Sequence, residues 1–395
     1  MPSADVVIVG GGVIGASTAF HLARAGVRRV IVVERRHLAA GASGKSGALV
    51  RMHYTNEPET RLAYESLQYF ANWQDVVGGD CGFRKVGFLA LAPDEYRDNF
   101  AANVAMQQRV GVNTSLISPD EAREVDPAMW AGDVSCLAYE PDSGYADPAG
   151  TTYAFARAAM DRGVEFQFET PVTRLLTTGD KVVGVETQDG RIEAPIVVLA
   201  AGPWANPLLA GVGVDLGLVP VLSRVTVFRW TLERSPKHPI CIDHVNHTWI
   251  RPIDGNCTLI GAEHGVSRLT GDPDAYAETA TQDYVDHCRA QLTKRYPVMR
   301  FAPMRGNWIG MFMGSPDSRP IIDELPQYRG LFCFTGDSGS CFKTSPAIGR
   351  CLCEWIVDGA STTVDLTPFR ASRFAEDKPW RDETGYGRQQ LTISR

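Results

Sequence analysis

Gly10, Gly12 and Gly15 follow the apolar run Val6-Val7-Ile8-Val9 with the spacing G-x-G-x-x-G, and an acid, Glu34, closes a second apolar run, Val30-Ile31-Val32-Val33. These residue types at these distances can hold a pyrophosphate and a ribose. Gly10 allows a tight turn, Gly12 lets a phosphate reach the backbone, and Gly15 lets the next helix pack on the strand. The helix start, with Val13 and Ile14 between the last two glycines, turns its N–H groups toward the anion. Glu34 can accept from a ribose hydroxyl, with Arg35 beside it. The chemistry indicated is dinucleotide binding, and the elements it requires are a strand, a glycine turn, a helix and a second strand.

The same alternation breaks off after the second strand and resumes near residue 150. Residues 150–162 have helical spacing, with Tyr153, Phe155, Ala156 and Met160 as apolar positions, and 164–166 reads as a short strand. Residues 171–175 and 182–187 read as a hairpin around Thr178-Gly179-Asp180. A further strand over 196–200 runs into Ala201-Gly202-Pro203-Trp204. A third strand-to-helix return occupies 330–336, after which Ile348, Cys351, Leu352, Trp355 and Ile356 share one helical face. The stretches 81–145 and 218–325 carry more β-like alternation, as in 219–230 and 248–260.

The expected fold class is α/β, or α+β over the whole chain. A Rossmann-like domain, discontinuous over 1–80, 146–217 and 326–395, would bind the cofactor. An inserted antiparallel-sheet domain, 81–145 and 218–325, would bind the substrate. A nicotinamide dehydrogenase has contiguous βαβ halves. A return to the cofactor fold near residue 330 instead favours a flavin dinucleotide, whose isoalloxazine end needs its own contacts.

The 395 residues carry a formal charge of -7, with 44% hydrophobic and 22% charged residues, which is the composition of a soluble globular chain and not of a nucleic-acid binder. The first apolar run is too short and too glycine-rich for a signal segment, and no stretch approaches a membrane span. Nine cysteines are scattered, with Cys351 and Cys353 too close for a zinc knuckle or a CxxC pair, so reduced thiols in a cytoplasmic protein without a metal site are expected.

The chain resembles the D-amino-acid oxidase superfamily of FAD enzymes, and within it the sarcosine oxidase group, especially its β-subunit type and dehydrogenase relatives. The matching residues are the glycine fingerprint, the run from Gly41 through Ser43-Gly44-Lys45-Ser46-Gly47 to Arg51, and Gly144-Tyr145-Ala146-Asp147-Pro148. They continue with Ala200-Ala201-Gly202-Pro203-Trp204, Ser315-Pro316-Asp317 with Pro320-Ile321-Ile322-Asp323, and Gly336-Asp337-Ser338-Gly339-Ser340-Cys341-Phe342-Lys343. The resemblance implies hydride transfer from a C–N carbon to flavin N5, with an imine product. It also implies that Arg51 and Lys343 bind the substrate carboxylate, a role suited to a guanidinium fork and an ammonium shielded from water. By the same resemblance Trp249 is an aromatic wall of the substrate pocket. Val172 lends backbone bonds to the adenine, and Cys341 lies near the flavin. The loop Ser43–Ser46 can bond phosphates and ring edge through backbone N–H groups, and Gly47, Ala201, Gly202, Trp204, Gly336, Gly339, Ser340 and Phe342 complete the expected cofactor site.

Three departures bear on mechanism. Gly310 stands where the monomeric sarcosine oxidases attach flavin through a cysteine, so the FAD is expected to be noncovalent. Leu259 stands where those oxidases hold an oxygen-activating lysine, which leaves oxidase and dehydrogenase both open. Glu263 occupies the position of their active-site histidine, with His264 one residue away as a polar candidate. Strand alternation after Arg51 would point His53 the same way and Tyr54 away.

The leading expectation is FAD-dependent oxidation of a small secondary amine or amino acid, N-methylated or cyclic, with a free carboxylate. A D-amino-acid or 2-hydroxy-acid oxidoreductase of the same fold, or a non-catalytic FAD-binding subunit, are the alternatives. The electron acceptor is O2 or another carrier, and partner subunits or a homo-oligomer are compatible with the β-subunit resemblance.

Overall fold

The computed structural model describes residues 3–231, 237–382 and 384–386. Val6–Val9 is apolar and buried at every position, as a strand covered on both faces of a parallel sheet must be. It pairs in parallel with Val30–Val33 on one side and Ile196–Leu199 on the other. Glu165–Gln167 extends the sheet past Val30–Val33, and Leu331–Thr335 extends it past Ile196–Leu199. Ile321–Glu324 adds an antiparallel edge, just ahead of residue 326. The six strands come from three separated stretches of the chain.

Three helices cover one face: Val13–Arg24, Pro148–Met160 and Ser345–Asp358. Pro148–Met160 starts two residues before the expected 150. Asp147 caps it, with its Oδ1 accepting from the Ala149 N–H at 3.0 Å, and Pro148 takes the first helical position, where no N–H is needed. A Cβ on Gly349 would sit 2.2 Å from Ser17 Oγ and 2.7 Å from the Ser17 carbonyl carbon, so only glycine lets Ser345–Asp358 approach Val13–Arg24 this closely. The expected hairpin forms as Val172–Thr178 and Lys181–Thr187, joined by Gly190–Glu193 in a three-stranded sheet.

A second, nine-stranded sheet is built on Val219–Arg229, flanked by Met304–Gly314 and Cys257–Ala262. It runs on through Thr248–Ile253 and Ile240–Asp243 to Phe88–Ala92 and Cys136–Glu140. Most pairs are antiparallel, while Ile240–Asp243 and Phe88–Ala92 run parallel. This half of the molecule also carries two long helices, Arg97–Val110 and Gln282–Arg295, where β-like alternation was expected to dominate. A buried ion pair lies beneath it: Arg295 Nε donates to Asp243 Oδ2 at 2.6 Å, both side chains fully enclosed.

Candidate active site

The glycine turn divides its labour between packing and access. Gly10 has φ +115°, and a Cβ there would fall 2.4 Å from the Ala200 carbonyl oxygen. A Cβ on Gly15 would fall 2.0 Å from the Gly10 carbonyl oxygen. Gly12 differs: its backbone is ordinary, φ -75° and ψ 176°, and a Cβ would meet only Ser43 Oγ, at 3.2 Å. Its open side faces a cavity of about 480 Å³, within the usual range for small-molecule sites.

Helix Val13–Arg24 points its N-terminus into this cavity, where the Val13 N–H donates to Ser43 Oγ at 2.9 Å. Glu34 is held at the wall, accepting from the Gly11 N–H at 2.7 Å and the Arg36 N–H at 2.8 Å. Each carboxylate oxygen keeps a lone pair for a hydroxyl. Arg35 stacks over the Trp204 ring at 5.0 Å, and Asp274 ties both down, accepting from Arg35 at 2.7 Å and from Trp204 Nε1 at 3.1 Å. Lys45 is bonded by Glu278 at 2.7 Å and Tyr276 at 3.0 Å, which raise its pKa against the opposing effect of burial. The segment carrying Asp274, Tyr276 and Glu278 therefore straps the cavity, a feature that no local spacing announced.

Of the residues expected at the cofactor, Gly10, Gly12, Val13, Ile14, Glu34, Arg35, Ser43, Lys45, Ser46, Gly47, Val172, Ala201, Gly202, Trp204, Gly339, Cys341 and Phe342 line this cavity, as does Trp249. Gly15, Gly44, Gly336, Ser340 and Lys343 stand outside the lining, as does Arg51. Gly44 permits the close turn onto Ala39, where a Cβ would lie 2.4 Å from the carbonyl oxygen. The Trp249 indole lies across Gly47 and Gly261, where added Cβ atoms would come within 2.4 Å of it. Burial pushes the Cys341 thiol up to about 12, so it is protonated and unreactive at neutral pH.

Arg51 and Lys343 are both buried and both lie against one ring, that of Tyr54, at 4.8 and 5.0 Å from its centroid. The Ser340 carbonyl accepts from Tyr54 Oη at 2.9 Å and from Lys343 Nζ at 2.8 Å. Tyr54 thus points toward Arg51, contrary to strand alternation. The strand ends at Val50, and 51–54 is irregular backbone to which alternation does not apply. The Arg51 guanidinium bonds the His53 carbonyl and lies over Phe88 at 5.8 Å, and burial lowers its pKa. Burial, and next the Arg51 charge, keep His53 and His244 neutral, His244 at about 3.

His264 is not brought to this site. It sits exposed in the turn Glu263–Gly265, stacked on His287 at 4.5 Å, while Glu263 pairs with His247 at 3.2 Å. The strand Cys257–Ala262 ends before it, so the turn carries it out of the sheet face that meets the cavity. Asp317 is structural: it accepts from Arg373 at 2.8 and 3.0 Å and from the Trp380 N–H at 2.9 Å, binding the C-terminal segment to the sheet. Among the described residues no cluster of His, Cys, Asp or Glu is arranged to hold a metal ion, and no helix is long and apolar enough to cross a membrane.

The chain belongs to the FAD dependent oxidoreductase family, whose model matches residues 5–355. It is similar to mitochondrial sarcosine dehydrogenase of Homo sapiens, 27% identical over 372 residues that cover 91% of this chain and 40% of that protein. It is also similar to sarcosine oxidase subunit beta of Arthrobacter sp, at 28% identity over 94% of this chain and 91% of that one. Among solved structures it matches L-proline dehydrogenase from P. horikoshii with a TM-score of 0.88 and 26% identity, covering 96% of this chain and 100% of that one. The chain spans less than half the length of the curated relatives it matches first. The cofactor is FAD, and the residues present fit it: an open glycine at a helix start and the Glu34 carboxylate line one cavity that also reaches Trp249.

Proposed function

We propose that this FAD enzyme oxidises the C–N bond of a small secondary amine or amino acid, N-methylated or cyclic, that carries a carboxylate. The observation that carries the reading is the pair of buried cations, Arg51 and Lys343, gathered on Tyr54. A small dehydrated carboxylate is the ligand such a pair suits, because charge-assisted bonds strengthen away from water. The names of the relatives, sarcosine and L-proline dehydrogenases, support the substrate class. When bound, FAD supplies the acceptor for the hydride, which carries both electrons of the oxidation. The chain's own residues orient the substrate: Arg51 and Lys343 grip the carboxylate, Trp249 walls the pocket, and the enclosed site excludes water. No side chain has to serve as base when the amine binds neutral.

In this reading residues 1–80, 146–217 and 326–395 carry the flavin, and 81–145 with 218–325 carry the substrate side. The electron acceptor is O2 or another carrier. Partner subunits or a homo-oligomer are supported by likeness to a protein named as a subunit. A reducing, cytoplasmic location is supported by nine cysteines that are all free and buried.

The test is anaerobic bleaching of the flavin by N-methylglycine, proline and their amides. The acids should bleach it and the amides should not. Arg51→Met and Lys343→Met should each weaken the acid by about 1.5–3 kcal/mol, the size of a hydrogen bond to a charged group, or roughly 10- to 150-fold. Wild-type affinity for the acid in both variants, or preference for an uncharged amine, would remove the carboxylate assignment.

A further inference from the structure

Arg51 is 2% exposed, so its guanidinium is walled off from solvent. One wall comes from the far end of the chain. The Tyr386 ring lies between those of His244, at 5.0 Å, Phe100, at 5.4 Å, and His53, at 5.9 Å. Its hydroxyl bonds His53 Nε2 at 3.0 Å and accepts from Asn103 Nδ2 at 2.8 Å. His53 is the residue whose carbonyl Arg51 bonds, and Tyr386 packs on the same apolar cluster that holds Trp249. The ring therefore stands beside the proposed carboxylate anchor and packs on the cluster to which the pocket's tryptophan belongs.

The residues that carry this wall have no secondary structure of their own. Helix Arg97–Val110 bonds them by side chains one turn apart. Asn99 Nδ2 donates to the Gly385 carbonyl at 3.1 Å, and Asn103 Nδ2 donates to the Thr384 carbonyl at 2.7 Å. Thr384 Oγ1 donates back to Asn103 Oδ1 at 2.5 Å. Just ahead of it Asp382 is bonded by Thr55 and Arg319, and the Tyr386 ring beside these anchors lies in neither sheet, so it can be displaced without disturbing either.

We infer that Tyr386 is a specificity-determining residue: its ring sets the size of the substituent accepted beside the carboxylate bound at Arg51. The inference rests on the proposed carboxylate site and adds what limits its size. A substrate with a hydrogen or a methyl group at that carbon fits inside the ring, and one with a bulky side chain must displace it.

The experiment titrates FAD-loaded protein with acetate and phenylacetate, read by the shift of the flavin absorption band, and then follows anaerobic flavin reduction by N-methylglycine and N-methyl-L-phenylalanine. In Tyr386→Ala the ratio of phenylacetate to acetate affinity should rise about tenfold or more, the scale at which a hydrophobic pocket discriminates size. Tyr386→Trp should move the ratio the other way, and Tyr386→Phe, which keeps the ring, should leave it near wild type. The reduction rates should follow the same order. An unchanged ratio in both Tyr386→Ala and Tyr386→Trp, with acetate still bound, overturns the inference and leaves the proposed function standing. A shifted ratio without reduction by either N-methyl amino acid keeps the wall and removes the proposed reaction. If neither carboxylate perturbs the flavin of wild type, both fall.

Discussion

Two glycines of the same turn should fail in different ways when a side chain is added. At Gly15 the new Cβ would lie 2.0 Å from the Gly10 carbonyl oxygen, a main-chain atom that cannot swing aside. Gly15→Ala must push helix Val13–Arg24 off its strand, an overpacking cost of about 1–3 kcal/mol with or without FAD. At Gly12 the backbone tolerates any residue, and the nearest atom to a new Cβ is the rotatable Ser43 hydroxyl at 3.2 Å. Gly12→Val should therefore leave the apoprotein nearly as stable as wild type while its side chain occupies the phosphate approach. Loss of one charge-assisted hydrogen bond to a phosphate costs roughly 1.5–3 kcal/mol, or about 10- to 150-fold in FAD affinity. A hundredfold loss removes about 2.7 kcal/mol of the stabilisation that excess FAD confers. Thermal melts of apoprotein and FAD-loaded protein, with flavin content measured on the purified variants, separate the two cases. Stoichiometric FAD and a wild-type holo melt in Gly12→Val would refute the phosphate placement. An apo Gly15→Ala as stable as wild type would refute the packing argument.

FAD should leave the polypeptide on acid or heat denaturation, because Gly310 stands at the cavity wall and the Cys341 thiol is held at about 12; flavin retained on the denatured chain would overturn this. Reoxidation of the reduced enzyme by O2 should be slow. Leu259 is fully buried between Val227 and Arg251, and the Lys45 ammonium is paired with Glu278. A fast second-order reaction in stopped flow that survives Lys45→Met and Lys343→Met would end that argument. Stability should fall as pH drops from about 7.5 to about 6. Burial holds His21 and His244 at about 3 and His238 at about 4, so the unfolded chain takes up protons near 6.5 that the folded chain refuses. Each such group contributes up to about 1.4 kcal/mol per pH unit within that window. Asp126, raised by burial to about 6, opposes this mainly below that pH. A flat or rising melting temperature between pH 7.5 and 6 would contradict this assignment, and His238→Gln should make the slope shallower.

The glycine turn, the strands on either side of it and the hairpin over 172–187 were legible because each is set by local spacing. Helix Arg97–Val110 was not. Its sequence, with Asn99, Asn103, Gln107 and Gln108 among the apolar residues, shows little contrast between faces, since Asn103 and Gln107 are themselves buried and bonded. Tyr54 was misplaced because two residues of strand were extended by alternation into irregular backbone. His264 lies one residue from a family position, but the turn after Cys257–Ala262 points it outward. Tyr386 and the strap at Asp274, Tyr276 and Glu278 meet partners 70 to 333 positions away in the chain, and no periodicity encodes such meetings.

That strap changes how the enzyme and its cofactor part company. Asp274, Tyr276 and Glu278 fasten to Arg35, Trp204 and Lys45, three side chains of the cavity wall, so movement of that wall to release an occupant is coupled to the breaking of these links. The half-exposed ion pairs among them are each worth about 0–1 kcal/mol and weaken with salt. Their effect falls on residence time more than on equilibrium affinity: broken together, they would quicken escape by about tenfold, and high ionic strength alone would reproduce part of that gain. Loading is coupled to the same links, so the chain is best supplied with its flavin while it folds, before they are fastened.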